Sequence, residues 1–329
     1  MKNILITGAA GFIGSRLAKH ILDFHKEEFH IVGIDNLFGG YIENIPEGVD
    51  FFKMDINDNL DELFKKYNFE YVYHVAAYAT EGLSPFIRKF NYNNNLIGTT
   101  NIINACVNYG VKRLIFTSSM SIYGPTNKRY KEDDIPQPID SYAISKYACE
   151  LDIKAASEQF GLDYCIIRPH NVYGINQNIW DMYRNVIGIW MYQIMQDKPI
   201  TIYGDGKQTR AFTCVDNILE PMYQGMVSDV ASKEIFNLGA LKGMTINDAA
   251  KILIDITGYD NIVYLENRYE VKHAIPDGQK SVRLLGYEEK VSFEEGIKAM
   301  WEWAKKQPNR KQFKWDKYEI DKNMYEYWK

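Results

Sequence analysis

The sequence predicts a doubly wound α/β fold, in which helices cover both faces of a parallel sheet. Two observations indicate it: short apolar runs alternate with amphipathic helical patterns through the first half of the chain, and a glycine-rich turn follows the first run. Strands that are apolar throughout are typical of parallel sheets, because helices bury both of their faces. After about Pro169 the alternation ends and short elements mix, so we expect a smaller, mixed α/β second lobe.

The alternation predicts six strands and four helices before that point. The expected strands are residues 2–7, 29–34, 49–54, 71–75, 114–118 and 164–167. The expected helices are residues 12–24, 60–67, 86–109 and 141–160.

Composition limits the classes of function. The 329 residues are 46% hydrophobic, which is enough for a large core, and the net charge of -5 argues against nucleic acid as the main partner. The cysteines have no metal-ligand spacing, so we expect four reduced core thiols and a cytoplasmic protein. The chain opens as a strand rather than a signal peptide, and no apolar run approaches the roughly 20 residues that span a bilayer.

The turn after the first strand predicts a site for a dinucleotide pyrophosphate. It reads Gly8-Ala-Ala-Gly11-Phe12-Ile13-Gly14 and opens the first helix. Glycines allow the backbone to approach the phosphates closely, and the helix N-terminus adds N–H donors and the positive end of its dipole. The spacing is GxxGxxG rather than GxGxxG, and its place between strand and helix makes it informative.

A carboxylate at the end of the second strand favours NAD over NADP. Asp35 lies 27 residues after Gly8, where it is expected to accept both hydroxyls of the adenine ribose and to repel a 2'-phosphate. No arginine follows it, since the next residues are Asn36 and Leu37. Asp55 and Ile56 follow the third strand, and we expect them to hold the adenine.

Tyr142 and Lys146 are the candidate catalytic pair. They are four residues apart at the start of a long amphipathic helix, so they share one helix face. An ammonium and a cationic nicotinamide ring are expected to lower the pKa of the phenol, which normally lies near 10, so that Tyr142 acts as a general base on a substrate hydroxyl. Tyr203, Tyr318 and Tyr325 also have lysine four residues later, but they lie in a turn-like stretch or in the tail.

A third candidate lies at the end of a predicted strand. Ser119 follows the strand 114–118, and the carboxyl edge of a parallel sheet is where α/β sites form. Its hydroxyl is expected to hydrogen-bond the reacting oxygen. A serine at a strand end, taken alone, more often caps the backbone.

With these residues in place, the chain resembles the extended short-chain dehydrogenase/reductase family, close to the nucleotide-sugar epimerases typified by UDP-glucose 4-epimerase. The resemblance runs from about Lys2 to about Trp303. It rests on GAAGFIG at 8–14, Asp35, Asp55-Ile56, HVAA at 74–77, NLIGT at 95–99, SSMSIYG at 118–124, YAISK at 142–146, RPHNVYG at 168–174 and RAFTCVD at 210–216.

The resemblance implies a Rossmann domain at residues 1–170, with a returning segment near 211–238. A nucleotide-sugar domain is implied at 171–210 and 239–308, leaving an aromatic-rich tail at 309–329. The resemblance also implies a tightly held NAD, a UDP-sugar substrate and a homodimer formed by the helices 86–109 and 141–160. It adds the cofactor-binding residues Ala76, Ala77, Ala79, Asn95 and Pro169, with Tyr142 and Lys146. It adds the substrate-binding residues Ser119, Ser121, Asn171, Asn185, Val186, Arg210 and Arg268.

Several reactions through a 4-keto sugar fit this family. A 4,6-dehydratase has Asp-Glu after its active-site Thr, and a decarboxylase has a glutamate at the position of Ser121. Met120 and Ser121 follow Ser119 here, and neither transfers a proton as a carboxyl group does. C4 epimerisation of a UDP-hexose, with Tyr142 as acid/base, is therefore the expected reaction. A 4-dehydrogenase that releases a ketosugar is the alternative, and a non-catalytic nucleotide-binding regulator is a further one.

Two features of the chain lie outside that family pattern. Glu81 follows the fourth strand and disfavours a uronate if it faces the sugar. The tail 309–329 is charged yet rich in Phe, Trp and Tyr, so it either packs on the surface or contacts a partner.

Overall fold

The computed structural model describes residues 1–328, and its centre is a seven-stranded sheet whose neighbouring strands all pair in parallel. The strands are β1 (Lys2–Thr7), β2 (Phe29–Asp35), β3 (Val49–Lys53), β4 (Tyr71–His74), β5 (Arg113–Thr117), β6 (Tyr164–Pro169), β7 (Val172–Tyr173), β8 (Ile200–Tyr203), β9 (Thr209–Arg210), β10 (Thr213–Cys214), β11 (Glu234–Leu238), β12 (Met244–Thr245), β13 (Ile262–Leu265) and β14 (His273–Ala274). The order across the large sheet is β11-β6-β5-β4-β1-β2-β3. The predicted doubly wound fold is confirmed.

Helices cover both faces of this sheet. They are α1 (Phe12–His25), α2 (Asp61–Tyr67), α3 (Arg88–Tyr92), α4 (Gly98–Asn108), α5 (Ser141–Phe160), α6 (Val186–Met195), α7 (Asp216–Val227), α8 (Ile246–Thr257), α9 (Gln279–Leu285) and α10 (Phe293–Ala304). Along β1, Ile4 and Ile6 join the core under α1 and α7, whereas Leu5 joins the core on the opposite face. This alternation explains why three successive residues of the strand, Ile4 to Ile6, are all apolar.

The predicted helix 86–109 is divided in the structure. A 3-10 turn at Ser84–Phe86 precedes α3, and a π segment at Asn93–Ile97 separates α3 from α4. The carbonyl of Asn95 accepts hydrogen bonds from Oγ1 of Thr99 and Sγ of Cys149. Side chains that compete for a backbone carbonyl disturb the regular helical ladder, and helical periodicity does not reveal them.

The strand order creates a crevice at one edge of the sheet. The chain leaves β1 toward β2 and β3 on one side, whereas β4, β5 and β6 lie on the other. Between β1 and β4 the direction of winding reverses, and ligands of doubly wound folds bind at the carboxyl ends of such neighbours. The glycine turn follows β1 and the segment beginning at Val75 follows β4, so both face this crevice.

The second lobe has its own core around Trp190, Met191 and Ile297, which are fully buried. Three two- or three-stranded sheets and helices α6, α8 and α10 surround it. All four cysteines are buried and none forms a disulfide. Within residues 1–328, no helix is long and apolar enough to cross a membrane.

The tail packs on its own chain as a C-terminal strap, residues 309–328. Phe313 forms a bridge to Asp181 in the second lobe, and the Glu319 carboxylate accepts the N–H groups of Lys89 and Phe90 at the start of α3. Trp328 is only 1% exposed. The strap therefore connects the two lobes, as expected for a tail packed on the surface.

Candidate active site

A cavity of about 600 Å³ begins at the glycine turn and continues into the second lobe. Nearly all residues predicted for the site line it. They are Gly8, Gly11, Phe12, Ile13, Gly14, Asp35, Asn36, Ile56, Ala76, Ala77, Ala79, Ser119, Ser121, Tyr142, Lys146, Pro169, Asn171, Asn185, Val186, Arg210 and Arg268. Asp55 and Asn95 do not line it.

The glycine turn has no room for side chains. Gly8 has φ +72°, and a Cβ there would lie 2.8 Å from the backbone N of Ala76. A Cβ on Gly14 would collide with the carbonyl oxygen of Gly8. Gly11 caps α1 without a side-chain hydrogen bond, so the first N–H groups of that helix are available to a phosphate. These features fit the pyrophosphate of a dinucleotide.

Asp35 is held by the backbone of this turn. Its Oδ1 accepts the N–H of Leu37 at 2.7 Å and its Oδ2 accepts that of Ala10 at 3.1 Å. Burial raises the pKa of Asp35, and these N–H groups oppose the rise. Each oxygen keeps a further lone pair, which fits the two ribose hydroxyls expected from the sequence.

Asp55 supports the cavity wall instead of forming it. Its Oδ2 accepts the side-chain amide of Asn36 at 2.6 Å, and Asn36 itself lines the cavity. The neighbouring Ile56 also faces the cavity. Asp55 is thus placed to orient Asn36, and the structure does not bring its own carboxylate to the adenine end.

Asn95 is the second residue placed differently from the expectation. It is 1% exposed, its Oδ1 accepts the N–H of Tyr78 at 2.8 Å, and its amide donates to the Tyr78 carbonyl at 3.1 Å. It therefore fixes the loop after β4, which lines the cavity, from behind. The motif that contains Asn95 did not reveal which way its side chain points.

Ser119, Tyr142 and Lys146 come together at the carboxyl edge of the sheet. Ser119 follows β5, and its Oγ accepts hydrogen bonds from the N–H and the hydroxyl of Ser121. Tyr142 lies in the first turn of α5, which Asp140 caps by accepting the N–H of Ala143 at 2.8 Å. Tyr142 and Lys146 share the cavity-facing side of this helix, as their spacing predicts.

The expected lowering of the Tyr142 pKa is wrong for the protein alone. Burial raises the pKa of Tyr142 well above its usual range, and the carboxylates of Glu81 and Asp140 add to the rise. A hydrogen bond from Ser119 opposes it. The Lys146 ammonium donates a hydrogen bond to the carbonyl of Thr117 at 2.8 Å, rather than to the phenol oxygen of Tyr142.

Lys146 is an almost fully buried ammonium. Its residue is 2% exposed, and its Nζ lies 4.7 Å from the centre of the Phe116 ring. Burial lowers its pKa to about 8. Such a perturbed group in a crevice is typical of a functional site.

The second lobe contributes donors at the far end of the cavity. Asn185 caps α6 by accepting the N–H of Ile187 at 3.0 Å, and Val186 begins that helix at the cavity wall. Arg210 pairs with Glu270 at 3.0 Å, and Arg268 reaches the same carboxylate at 3.5 Å. Planar, permanently charged guanidinium groups and a helix N-terminus that line the same cavity fit a nucleotide diphosphate.

Several charged or polar lining residues were not predicted as part of the site. Four of them are Asp140, Arg184, Glu270 and Tyr325. Asp140 directly precedes the helix of Tyr142, so a helix-capping signal was present. The other three come from irregular segments of the second lobe and from the strap, and no motif marked them.

A comparison with protein families gives the decisive observation. Residues 4–239 match the model of the NAD-dependent epimerase/dehydratase family. The chain belongs to this family. NAD is therefore its cofactor, and the glycine turn and Asp35 fit it.

The relatives of this family member are mostly sugar-nucleotide enzymes. The chain is 32% identical to a UDP-glucuronate 4-epimerase of Thermodesulfobacterium geofontis, over 92% of this chain and 95% of the relative. A structure of UDP-glucose 4-epimerase with UDP-glucose, from Thermotoga maritima, is similar with a TM-score of 0.86 and 34% identity, over 92% of this chain and 99% of that one. UDP-glucuronic acid 4-epimerase of Bacillus cereus, in complex with UDP-glucuronic acid and NAD, has a TM-score of 0.85 and 29% identity, over the same shares. The relatives also include dTDP-D-glucose 4,6-dehydratase of mouse, at 28% identity over 93% of this chain and 89% of the relative.

Proposed function

We propose that this chain is an NAD-dependent nucleotide-sugar epimerase that inverts C4 of a UDP-hexose through a 4-keto intermediate. The observation that carries the proposal is the placement of Ser119, Tyr142 and Lys146 on the wall of the same cavity as the glycine turn. NAD, when bound, accepts a hydride from the sugar carbon and gives it back. The relatives that are 4-epimerases support the choice of reaction.

Tyr142 is proposed to exchange the proton of the sugar 4-hydroxyl. The Ser119 hydroxyl interacts with Tyr142 and opposes the rise of its pKa, and we propose that it hydrogen-bonds the reacting oxygen of the sugar when substrate is bound. The buried Lys146 ammonium stabilises negative charge on Tyr142 once the phenol loses its proton. After rotation of the ketosugar, Tyr142 returns the proton and the opposite C4 configuration is formed.

The residues after Ser119 favour epimerisation over dehydration. Elimination across C5 and C6 needs an acid and a base beside the sugar, and Met120 and Ser121 supply neither. Met120 and Ser121 also lie in the 3-10 turn Met120–Tyr123 that closes this wall. The residues at these two positions therefore favour removal and return of a single hydride.

Arg210, Arg268 and the start of α6 are proposed to hold the diphosphate of the substrate, together with Asn171. Arg210 and Arg268 lie beside Glu270, so the diphosphate joins an existing ion pair. This places the sugar between the second lobe and Tyr142, and the nucleotide deeper in the second lobe.

A homodimer is proposed through α5 and the helical run of α3 and α4. Ile144 and Leu151 are seven residues apart on α5 and are 41% and 49% exposed, and Ile97 beside them is 54% exposed. Since α5 already buries its other side against the sheet, these residues give it a second apolar face. A helix that is apolar on both sides is normally covered on both.

The test is NMR of the purified protein with UDP-, GDP-, CDP- and dTDP-sugars, with NAD supplied only at the enzyme concentration. We expect many equivalents of one sugar to become its C4 epimer, because NAD is regenerated in each turnover. Tyr142→Phe should lower the rate at least about 10²-fold, the usual contribution of a positioned acid–base group. Tyr109→Phe, which removes an exposed hydroxyl, is the matched control. A ketosugar that accumulates in proportion to NAD would show a 4-dehydrogenase instead.

A further inference from the structure

The charged side chains that line the cavity differ in whether they already interact with another group of the protein. The cations among the described lining residues are Lys146, Arg184, Arg210 and Arg268. The anions are Asp35, Glu81, Asp140 and Glu270. Equal numbers would leave the cavity neutral, but the partners of each group decide which charges a sugar meets.

Each cation already has a partner in the protein. Arg184 pairs with Asp181 at 3.0 Å, and Arg210 and Arg268 share Glu270. Lys146 donates to the Thr117 carbonyl. Because Arg210 and Arg268 are the groups suited to the diphosphate, no uncommitted cation remains for the sugar.

Glu81 differs from these cations in its interactions. Its backbone carbonyl accepts the N–H and hydroxyl of Ser84, but its carboxylate takes part in none of the hydrogen bonds found within residues 1–328. It is exposed to the cavity, and the charged groups that act on it are Asp140, Arg210, Glu270 and Arg268. The surrounding protein and Asp140 raise the pKa of Glu81 to about 7. A carboxylate in this setting gains from any hydrogen-bond donor that a ligand brings.

Ser84 places Glu81 beside the catalytic tyrosine. The Oγ of Ser84 accepts the backbone N–H of Tyr142 at 3.0 Å and donates to Asp140 at 3.3 Å. The loop of Glu81 is therefore tied to the first turn of α5. Electrostatic coupling between Glu81 and Tyr142 agrees with this proximity.

The strap holds the same loop from outside. A Cβ on Gly82 would lie 3.2 Å from the ring of Trp328, and Tyr325 lines the cavity next to this loop. The Tyr325 hydroxyl accepts the N–H of Tyr269 at 3.2 Å, which anchors it to the second lobe. The loop that carries Glu81 is thus backed by packed aromatic side chains.

We propose that Glu81 is a specificity-determining residue, which accepts hydrogen bonds from a neutral hexose and excludes a uronate from the sugar end of the cavity. The inference rests on the proposed function and names its substrate class. Above the pKa of Glu81, a uronate carboxylate would meet the ionised Glu81 and Asp140, whereas Arg210 and Arg268 are already engaged by Glu270 and the diphosphate; such a like-charge approach costs affinity. Two of the relatives described above act on or bind glucuronate, so the distinction separates this chain from them.

The experiment compares UDP-glucose with UDP-glucuronate in two readouts, kcat/KM for epimerisation and Kd by calorimetry. We expect the native enzyme to prefer UDP-glucose at least about 10²-fold in both. Glu81→Gln should reduce that ratio at least about tenfold, because the amide removes the repulsion. Glu47→Gln, which removes an exposed carboxylate, should leave the ratio unchanged.

The outcomes separate the two proposals. Turnover of both sugars with similar efficiency, or an unchanged ratio in Glu81→Gln, would overturn the role of Glu81 and leave the epimerase intact. Preferential binding of UDP-glucose without turnover would overturn the proposed epimerase activity and support the proposed role of Glu81. The sugar preference of the native enzyme is itself a test. The proposal can therefore still be overturned if Glu81→Gln does not fold.

Discussion

Lys146 shows how a single residue can serve the site at the expense of the fold. Its ammonium is buried over Phe116 and donates a hydrogen bond to the carbonyl of Thr117, and burial lowers its pKa to about 8. An ammonium loses much of its hydration there, and a neutral carbonyl replaces only part of it. In the proposed mechanism, this charge stabilises a phenolate on Tyr142. Stability and catalysis therefore place opposite demands on this position.

Replacing this charge should stabilise the protein at neutral pH. We expect Lys146→Met to raise the Tm at pH 7 while it abolishes turnover. The unfolded chain releases the lysine proton near its ordinary value of 10.5 and the folded chain near 8, so between these values the unfolded state binds more protons. Native stability therefore rises with pH in that window, and the advantage of the variant should shrink from pH 8 toward pH 10.

Differential scanning fluorimetry across pH measures this difference. Lys251→Met, which changes an exposed lysine, is the control and should show no such trend. A Tm gain that stays constant up to pH 10, or a loss at pH 7, would mean that Lys146 is not destabilised by burial.

At the scale of elements, the strands were the easiest to predict. Every expected strand is present, and β1 has the expected bounds, because strands covered on both faces contain short apolar runs such as Ile4 to Ile6. The helix 141–160 also has its expected bounds, since Asp140 caps its start and Gly161 ends it with φ +77°. Local chemistry thus decides where these elements begin and end.

The sequence was less informative where tertiary contacts decide the conformation. The π segment at Asn93–Ile97 depends on Thr99 and Cys149, and Cys149 belongs to a different helix. Glu270 and Tyr325 enter the cavity from irregular segments, so neither periodicity nor spacing marks them. The Tyr142–Lys146 motif gave the right helix face, but spacing did not reveal the burial that raises the pKa of Tyr142 in the protein alone.

The second apolar face of α5 predicts how the protein assembles. We expect Leu151→Glu to convert a dimer into a monomer, because the substitution places a charge in the centre of the proposed interface. Sedimentation velocity at micromolar concentration measures the change. Ile135→Glu changes a residue that is 82% exposed in a loop and should leave the dimer intact. A native protein that sediments as a monomer would contradict the proposal.

At the scale of the whole molecule, the strap links the two lobes on one side of the cavity. Tyr318 bonds Tyr183 of the second lobe at 2.7 Å, and Glu319 caps α3 on the other lobe. Phe38, which lines the cavity near the cofactor end, packs against Phe313 and Trp315. The closed arrangement of the cavity thus depends on residues that are far in sequence from the glycine turn and from the Tyr142–Lys146 motif.

Removing the strap should therefore affect substrate binding as well as stability. We expect deletion of residues 309–329 to raise the KM for the nucleotide sugar at least about tenfold, with a smaller change in kcat, because Tyr142 and Lys146 keep their support in the large sheet. Trp328→Ala, which keeps the rest of the strap, should lower the free energy of unfolding by about 3–5 kcal/mol and raise KM in the same direction. Urea unfolding and steady-state kinetics measure the two effects, with the exposed Lys322→Ala as control. If the deletion lowered stability but left KM unchanged, the strap would be a packing element that takes no part in the substrate site.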